Sequence, residues 1–356
     1  MELSRRRFLQ LCTAGLAAVG ISQSYVGQVA EAFAKSVAGE MPIIWLQGAG
    51  CNGCSASLLN SVHPDYKELL TNIINLHYHP HLMAEESDNM VEGLRKLARE
   101  KEGKFILVVE GALPQAAGGM VNVVGEDANG KPVSFVSLVK ELGAKADTVI
   151  AVGTCAAFGG MAAADPNPSE CVGINNLVSF RRVMNISGCP PHPDWIVGSL
   201  AHLLLYKELP ELDDFGRPKM FYGGVIHDNC PRRQYFDNSV FAHNFSEPGC
   251  LLEIGCRGPM AYADCSVRLY NNGVNWCIKS GAPCLSCTHP NFPDGVTPFY
   301  SRMPIIEFGG IRATADTFGK VAVTATILGL GAHLTGNILA GRVGNFKKKA
   351  KSGEEA

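Results

Sequence analysis

Apolar, β-branched runs alternate with amphipathic stretches through the first half of the chain. The apolar runs occupy residues 43–47, 73–79, 105–111, 147–153 and 182–187. Between them, residues 88–102 and 135–145 carry apolar side chains at helical spacing. Strands that alternate with helices in this way are typical of a parallel sheet covered by helices on both faces. We therefore predict an α/β fold with a doubly wound parallel sheet.

Three of the predicted strands run directly into a cysteine, namely Cys51, Cys155 and Cys189. Open parallel sheets bind their ligands just beyond the carboxyl ends of the strands. These residues and Cys54 are far apart in the sequence, but the fold would bring them to one rim of the sheet. Four thiols at one rim predict one four-thiolate site.

The strand–helix pattern ends after about residue 206. Glycine, proline, asparagine and clustered cysteine take over, as in residues 226–238 and 248–259. Such segments are typical of an irregular domain that is organised around bound metal groups. The predicted boundaries are residues 42–207 for a flavodoxin-like α/β domain and residues 208–305 for a cysteine-rich domain.

The first forty residues have the features of an export signal. Arg5 and Arg6 precede Phe8, Leu9 and a weakly apolar run, and small residues follow near 32–34. Paired arginines before such a run are typical of the twin-arginine route, and a short amphipathic helix is the alternative. Since that route carries folded, cofactor-loaded proteins, the signal predicts a periplasmic protein whose cofactor is assembled before export.

Composition and net charge bear on the size of the core and on whether the chain binds nucleic acid. The chain is 46% apolar and 18% charged, which is enough apolar material for a large core. The formal net charge is −2, and the sequence has no run of arginines and aromatics of the kind that binds a nucleic-acid phosphate backbone. We therefore expect no nucleic-acid partner.

The thirteen cysteines allow three chemistries. A disulfide framework would suit export, but it is typical of small domains that lack a core. Two C-x-x-C pairs, Cys51/Cys54 and Cys284/Cys287, would suit a four-cysteine zinc site. Iron–sulfur clusters also use four thiolates and are built in the cytoplasm, so they account for both the cysteines and the signal.

Seven motifs carry a family resemblance between about residues 42 and 300. In chain order they are WLQGAGCNGCSASLL, VEGALP, AVGTCAAFGG, GCPPHPDW, HDNC, GCRGP and PCLSC. They resemble the small subunit of nickel–iron uptake hydrogenases. The resemblance implies an electron-transfer subunit with three iron–sulfur clusters and no catalytic residue of its own. Its partner would be a large subunit that carries the nickel–iron site, without which this chain does not turn over hydrogen. We expect that partner to meet the rim around Cys51 and Glu110 through a large apolar interface.

The resemblance also implies ligands for each cluster. The proximal [4Fe–4S] cluster would take the four rim residues, Cys51, Cys54, Cys155 and Cys189. The distal [4Fe–4S] cluster would take His227, Cys230, Cys250 and Cys256. The medial cluster would take Cys265, Cys284 and Cys287, with Cys277 as a fourth ligand. Cys12 leaves with the signal, and Cys171 has no assigned role.

Cys277 stands where most relatives have proline. With this fourth thiolate the medial cluster is expected to be [4Fe–4S]; without it the cluster would be [3Fe–4S] and Cys277 a buried bystander beside Trp276. The exchange of proline for cysteine resembles the nickel–iron–selenium branch of the family.

Three glycines also depart from family patterns. Gly50 stands where most relatives have glutamate, so a proton-transfer role for that acid is not expected here. Gly53 and Gly160 occupy the positions of two extra cysteines in oxygen-tolerant members. The resemblance therefore implies an ordinary proximal cubane and an enzyme that loses hydrogen oxidation under air.

Two rival functions fit parts of the pattern. The related cluster-bearing subunit of respiratory NADH dehydrogenases shares the α/β half but lacks the cysteine-rich half and the signal. A flavin-binding module with a zinc-pinned tail would need a phosphate loop after the first strand, where Gly48, Gly50 and Gly53 are interrupted by cysteines. The first rival remains the alternative.

The end of the chain predicts a membrane anchor. Residues 321–341 contain no Lys, Arg, Asp or Glu, and a basic tail follows over residues 342–356, after a linker at 306–320. A span of this length crosses a hydrocarbon core of roughly 30 Å, although a buried apolar helix is the alternative. The positive-inside rule would leave the tail in the cytoplasm and the clusters outside. His333 would then meet a haem or polar group of a membrane cytochrome b, with another quinone-linked protein or a cytochrome c as further candidate acceptors.

Overall fold

The apolar runs of the first half form strands in the computed structural model, which describes residues 41–83, 87–177, 180–301, 306–308, 311–313 and 315–342. The predicted signal, Cys12 and the basic tail beyond Arg342 lie outside these residues. In chain order the strands are β1 (Pro42–Gln47), β2 (Asn75–Tyr78), β3 (Ile106–Glu110), β4 (Leu113–Pro114), β5 (Val123–Glu126), β6 (Pro132–Ser134), β7 (Thr148–Val152), β8 (Cys171–Val172), β9 (Val183–Ile186), β10 (Ile306–Phe308) and β11 (Ile311–Ala313).

Five of these strands build a parallel sheet in the order β2-β1-β3-β7-β9. Among the sheet strands alone this is the order 2-1-3-4-5, which is that of flavodoxin-type doubly wound folds. The prediction of a parallel α/β sheet is confirmed. Three short antiparallel pairs, β4 with β8, β5 with β6 and β10 with β11, lie outside the sheet.

Helices connect the strands and cover the sheet. They are α1 (Gly53–Leu59), α2 (Tyr66–Glu68), α3 (Ser87–Glu100), α4 (Phe135–Lys145), α5 (Thr154–Phe158), α6 (Pro193–Tyr206), α7 (Lys219–Tyr222), α8 (Arg233–Asp237), α9 (Cys265–Arg268) and α10 (Ala315–Leu339). Capping residues explain where the longer ones begin. The Ser134 hydroxyl accepts the Ser137 amide at the start of α4, and Pro193 opens α6 after the His192 ring accepts the Asp194 amide.

Each face of the sheet buries its own core. On one face, Ile44 and Leu107 pack with Val91 of α3 and Leu138 of α4. On the other, alternate residues of the same strands pack with α6, whose Trp195 is fully buried. Because both faces are covered, the strands are apolar at successive positions rather than at every second one. This is why the sequence runs read as continuous apolar segments.

After α6 the chain forms short helices, turns and 3₁₀ segments. Among the residues that the structure describes, the 3₁₀ helices are Ala116–Gly119, Gly160–Ala163, Ile174–Asn176, Ile226–Asn229, Leu251–Ile254, Gly258–Met260 and Asp294–Val296, and a π-helix spans Leu69–Ile73. Buried residues of this half, including Phe221, Ile226 and Trp276, join the core of the α6 face. The chain divides into compact units after Ser301, so the predicted boundary between residues 207 and 208 stays a prediction.

The second unit begins at Arg302. Within the predicted linker, the described residues include the antiparallel pair β10–β11, and α10 begins at Ala315. Residues Gly319–Leu339 of α10 have a mean hydropathy of 1.3, and none of them is buried within the protein. The helix ends at Leu339, where the Arg342 amide bonds the Asn337 carbonyl and Gly341 takes a φ of 67°. That cap ends it two residues before the predicted end of the span.

Candidate metal-cluster sites

The carboxyl ends of the sheet strands lie in register. Along this rim the paired residues are Gln47 with Glu110, Glu110 with Val152, and Val152 with Ile186. The chain turns into α1 after β1, into α5 after β7, and into a proline-containing turn after β9. Each of these turns carries predicted ligands. Parallel pairing therefore places residues of distant segments at one edge.

The four rim thiols are brought together there. Burial raises the pKa of the Cys54 thiol well above its usual value, and the charges of Glu110, Cys155, Cys189 and Cys51 raise it further. Burial likewise raises the pKa of Cys189 to about 12, with contributions from Cys287, Cys155 and Cys51. The structure thus groups the four residues selected from the strand ends. Their role as ligands stays a prediction.

A buried carboxylate supports the Cys51–Cys54 loop. Glu110, only 2% exposed, accepts hydrogen bonds from the Trp45 indole at 2.9 Å and from the Cys54 and Ser55 amides at 3.1 Å each. The Ser55 hydroxyl also donates to it, and His79 bonds that hydroxyl at 3.1 Å. Glu110 lies inside this chain, where it accepts from amino-terminal amides of α1 that have no acceptor within the helix. The expected partner interface around Cys51 and Glu110 stays a prediction.

The medial group lies in the cysteine-rich half. Burial raises the pKa of the Cys265 thiol well above its usual value, and the charges of Cys287, Cys284, Asp264 and Cys277 add to the rise. The Ser286 amide donates to the sulfur of Cys284 at 3.4 Å. Cys265 and Cys284 are buried, whereas Cys277 is exposed. The other three predicted medial residues therefore lie within electrostatic range of Cys265, and Cys277 is the exposed one.

The distal group lines a pocket. His227, Cys230, Cys250 and Cys256 all contribute to its wall, with Arg232, Leu251, Gly258 and Ile278. The Nε2 atom of His227 is buried and has no hydrogen-bond partner among the described residues. A buried imidazole nitrogen without a partner is costly in an apo chain. A metal ligand bond at that nitrogen would satisfy it.

The thiols suit a metal group and not disulfides. None of the twelve cysteines in the described part of the chain is bonded to another. Amides of Arg232 and Gly258 point at the sulfurs of Cys230 and Cys256, both at 3.4 Å. Amide donors stabilise thiolates, while burial raises the pKa of both thiols. Thiols in this setting ionise when a cation binds them, which is the condition that an iron–sulfur cluster supplies.

Single metal ions are a different case. Among the described residues, no three His, Cys, Asp or Glu side chains converge closely enough to hold one ion.

Some residues at these sites were not singled out from the sequence. Trp45, Ser55 and His79 support the proximal loop through Glu110, and Thr154 bonds the Cys287 carbonyl. No motif marks them, because their partners lie far away in the chain. Cys171 is buried in β8 and its backbone pairs with the Asn167 side chain, so the structure gives its thiol no role.

Two family models match the chain. The model of the NADH ubiquinone oxidoreductase 20 Kd subunit matches residues 51–203, and the model of the C-terminal part of the NiFe/NiFeSe hydrogenase small subunit matches residues 222–300. The first corresponds to the α/β half, which the alternative family shares. The second spans the cysteine-rich half and separates the two families.

Hydrogenase small subunits of other organisms are similar to this chain over most of its length. The periplasmic [NiFeSe] hydrogenase small subunit of Desulfomicrobium baculatum is 46% identical over 84% of this chain and 99% of its own length. The uptake hydrogenase small subunit of Azotobacter vinelandii is 35% identical over 93% of this chain and 91% of its own. A crystal structure of the reduced, active Ni-Fe-Se hydrogenase from Desulfomicrobium baculatum matches with a TM-score of 0.71 and 44% identity, over 74% of this chain and 100% of that one. The chain therefore belongs to the small-subunit family of NiFe and NiFeSe hydrogenases, whose members carry iron–sulfur clusters and form heterodimers with a large subunit.

Proposed function

We propose that this chain relays electrons from hydrogen oxidised on the large subunit, through three iron–sulfur clusters, to an acceptor on or in the membrane. The observation that carries the proposal is the pocket that His227, Cys230, Cys250 and Cys256 line together, in which the buried Nε2 atom of His227 has no hydrogen-bond partner among the described residues. The nearness of the rim thiols to Cys54, and of the other cysteines to Cys265, supports the two remaining sets.

Each set would hold one cluster. Cys51, Cys54, Cys155 and Cys189 would hold a proximal [4Fe–4S] cluster, and His227, Cys230, Cys250 and Cys256 a distal one. Cys265, Cys277, Cys284 and Cys287 would hold the medial cluster. When bound, these groups accept and release single electrons. The chain itself supplies thiolates, amide donors to sulfur, and a shell of buried apolar side chains that limits water.

The medial site gives the most specific test of the proposed ligands, because Cys277 decides between two cluster types. The charge of Cys277 adds to the raised pKa of Cys265, Cys284 and Cys287, which supports a fourth thiolate and a [4Fe–4S] cluster. Electron paramagnetic resonance of the oxidised heterodimer should show no stoichiometric [3Fe–4S] signal. A Cys277→Pro variant should create that signal. A full [3Fe–4S] signal in intact wild-type enzyme would overturn the assignment.

The clusters would work on the periplasmic side of the cytoplasmic membrane. Related chains are named periplasmic hydrogenase small subunits, which supports export. The paired Arg5 and Arg6 support the twin-arginine route. The apolar stretch Gly319–Leu339, which has no charged residue after Lys320 and is followed by the basic tail, supports a carboxyl-terminal anchor.

Truncation tests the anchor. Removing residues 320–356 should release an active heterodimer into the soluble periplasmic fraction, because the truncation leaves the cluster-bearing unit intact. The full chain should stay in the membrane fraction. If the truncated chain stays there too, the anchor lies elsewhere.

The proximal site supports sensitivity to oxygen. A β-carbon at Gly160 would lie 2.7 Å from the Cys155 amide, and one at Gly53 would lie 3.2 Å from the Cys51 sulfur. The two glycines thus border the proximal ligands without adding thiols. Hydrogen oxidation should stop under air. Sustained turnover at atmospheric oxygen would contradict this part of the proposal.

A further inference from the structure

A hydrogen-bonded seam joins the proximal and medial segments, and it depends on one hydroxyl. Thr154 immediately precedes the proximal residue Cys155 and is 1% exposed. Its hydroxyl donates to the carbonyl of the medial residue Cys287 at 2.5 Å. The same oxygen accepts the amide of Gly188, which precedes the proximal residue Cys189, at 2.8 Å. One side chain therefore contacts two proximal loops and one medial loop.

Further hydrogen bonds join the residues next to Gly188 and Cys287, namely Ser187 and Thr288, and these bonds belong to the same seam. The Ser187 hydroxyl donates to the Thr288 carbonyl at 2.9 Å, and the guanidinium of Arg217 donates to the same carbonyl at 2.9 Å. The Tyr222 hydroxyl donates to the Ser187 carbonyl at 2.7 Å. Ser187, Arg217 and Tyr222 are all buried. Buried bonds of this kind are costly to break, because each leaves an unsatisfied polar group.

The join between the proximal and medial segments is made by a side chain, the Thr154 hydroxyl. The corresponding join between the medial and distal groups is made by the backbone, where the Arg257 amide bonds the Cys284 carbonyl at 2.7 Å. A side-chain substitution can therefore loosen the first join and leave the second intact.

We propose that Thr154 is a positioning residue that sets the gap between the proximal and medial clusters. This inference rests on the proposed relay function. Cys155 and Cys189 would hold the group that gives up one electron, and Cys287 would help to hold the group that accepts it. No proton moves. The hydroxyl acts only by fixing the distance, because it bonds backbone atoms of the ligand loops.

The test uses the intact heterodimer with Thr154→Val, which keeps the side-chain shape and removes the hydroxyl. Magnetic coupling between the reduced proximal and medial clusters should weaken, since it depends steeply on their separation. Hydrogen-dependent reduction of an external dye should fall by roughly tenfold, as small displacements of reacting groups have effects of that size. Isotope exchange between hydrogen gas and deuterated water takes place on the large subunit and needs no electron relay, so its rate should be unchanged. The electron paramagnetic resonance signal of the distal cluster should be unchanged as well.

Two variants act as controls. Thr154→Ser restores the hydroxyl and should return both readouts close to wild type. Thr148→Val removes another buried hydroxyl, at the start of strand β7, which leads into Thr154; this hydroxyl bonds Asp147 at 2.9 Å and no predicted ligand. It should change neither readout. If Thr154→Val does not accumulate, Ser187→Ala removes the adjoining bond and should weaken the coupling in the same direction.

Several results would overturn the inference. These are wild-type coupling and turnover in Thr154→Val, an equal loss in Thr148→Val, or loss of the proximal cluster itself in Thr154→Val. If Ser187→Ala is measured in place of Thr154→Val, unchanged magnetic coupling in that variant would also overturn the inference. A wild-type heterodimer without iron–sulfur signals would instead overturn the proposed function. The two failures are thus distinguishable.

Discussion

The proximal residues lie at the ends of parallel strands, whereas the distal residues lie in and around short 3₁₀ turns. Cys51 and Cys189 at the proximal rim are exposed, and Cys230, Cys250 and Cys256 at the distal site are buried. A cluster at the rim would face outward from this chain. A cluster in the distal pocket would be enclosed by it.

The difference concerns how far this chain by itself encloses each group of thiols. Charged groups and clusters in the interior are shielded by the protein around them. At the distal site this chain supplies that shield through Leu251 and Ile278. At the proximal rim the shield is incomplete, which fits a family whose members function as heterodimers. The rim therefore relies on internal support from Glu110 to hold its loop in place.

Removing the Glu110 carboxylate should have the largest effect on the difference between the proximal and distal sites. Glu110→Ala leaves the Trp45 indole and the Cys54 and Ser55 amides without their acceptor, at a cost of about 3 kcal/mol or more. The heterodimer should lose the proximal cluster signal and keep the distal one. Iron analysis and electron paramagnetic resonance would measure this.

An exposed carboxylate provides the control for Glu110→Ala. Glu211 pairs with Lys219 at 2.6 Å, and its side chain is 77% exposed. Glu211→Ala should leave all cluster signals unchanged. Equal loss of proximal and distal signals in Glu110→Ala would show that the two sites do not depend on separate supports.

The matching change at the distal site is His227→Ala. It removes the orphaned ring nitrogen and should remove or degrade the distal cluster while sparing the proximal one. Reduction of an external acceptor should fall by about tenfold or more, since even outer partners of metal ligands carry that much weight. His227→Cys restores a fourth ligand and should recover the cluster with a lower potential.

A second histidine is the control for this variant. His243 is exposed, and its ring pairs with Glu253 at 3.1 Å. His243→Ala should retain the distal signal and the rate of acceptor reduction. An intact distal [4Fe–4S] signal in His227→Ala would remove His227 from the ligand set.

The smallest effect concerns acid stability at the proximal loop. Burial, with a smaller contribution from His81, lowers the pKa of His79 from 6.5 to about 4. Between these pH values the unfolded chain binds a proton that the folded chain does not, so the free energy of unfolding falls as the pH drops from 6.5 toward 4. The loss would reach about 3 kcal/mol at most.

Thermal unfolding of the heterodimer across this pH range would measure the effect. His79→Gln should flatten the dependence, because it removes the titrating ring while keeping a polar side chain near Ser55. The exposed neighbour supplies the comparison, since His77→Gln should leave the dependence as it is in wild type. A profile that is unchanged in His79→Gln would assign the acid sensitivity to other groups.

Local pattern was enough to predict the sheet and one complete group of thiols. The apolar runs at 43–47, 105–111 and 147–153 correspond to β1, β3 and β7 within one or two residues at each end. Parallel strands present their carboxyl ends at one edge, so Cys51, Cys155 and Cys189 could be placed together from their position after these strands. Periodicity and turn residues determine such features because they depend on neighbours in the sequence.

The irregular half could not be predicted in this way. Its grouping of His227 with three cysteines came from resemblance, since no local period relates residues in 3₁₀ turns. The same limit applies to the burial of Glu110, which no local sequence pattern marks. Its burial depends on the amides of α1 and the Trp45 indole, which come from two other segments of the chain.

The sequence by itself determined the strand and helix order, the residues at the strand ends, and the uncharged span near the carboxyl terminus. Only the tertiary structure decided which polar groups meet across the fold. Thr154 and Cys287 are joined by a bond that spans 133 positions, and Ser187 and Thr288 by one that spans 101. Hydrophobic periodicity records which face of an element is buried. It does not record which distant loop lies against that element, because packing of the whole core sets that choice.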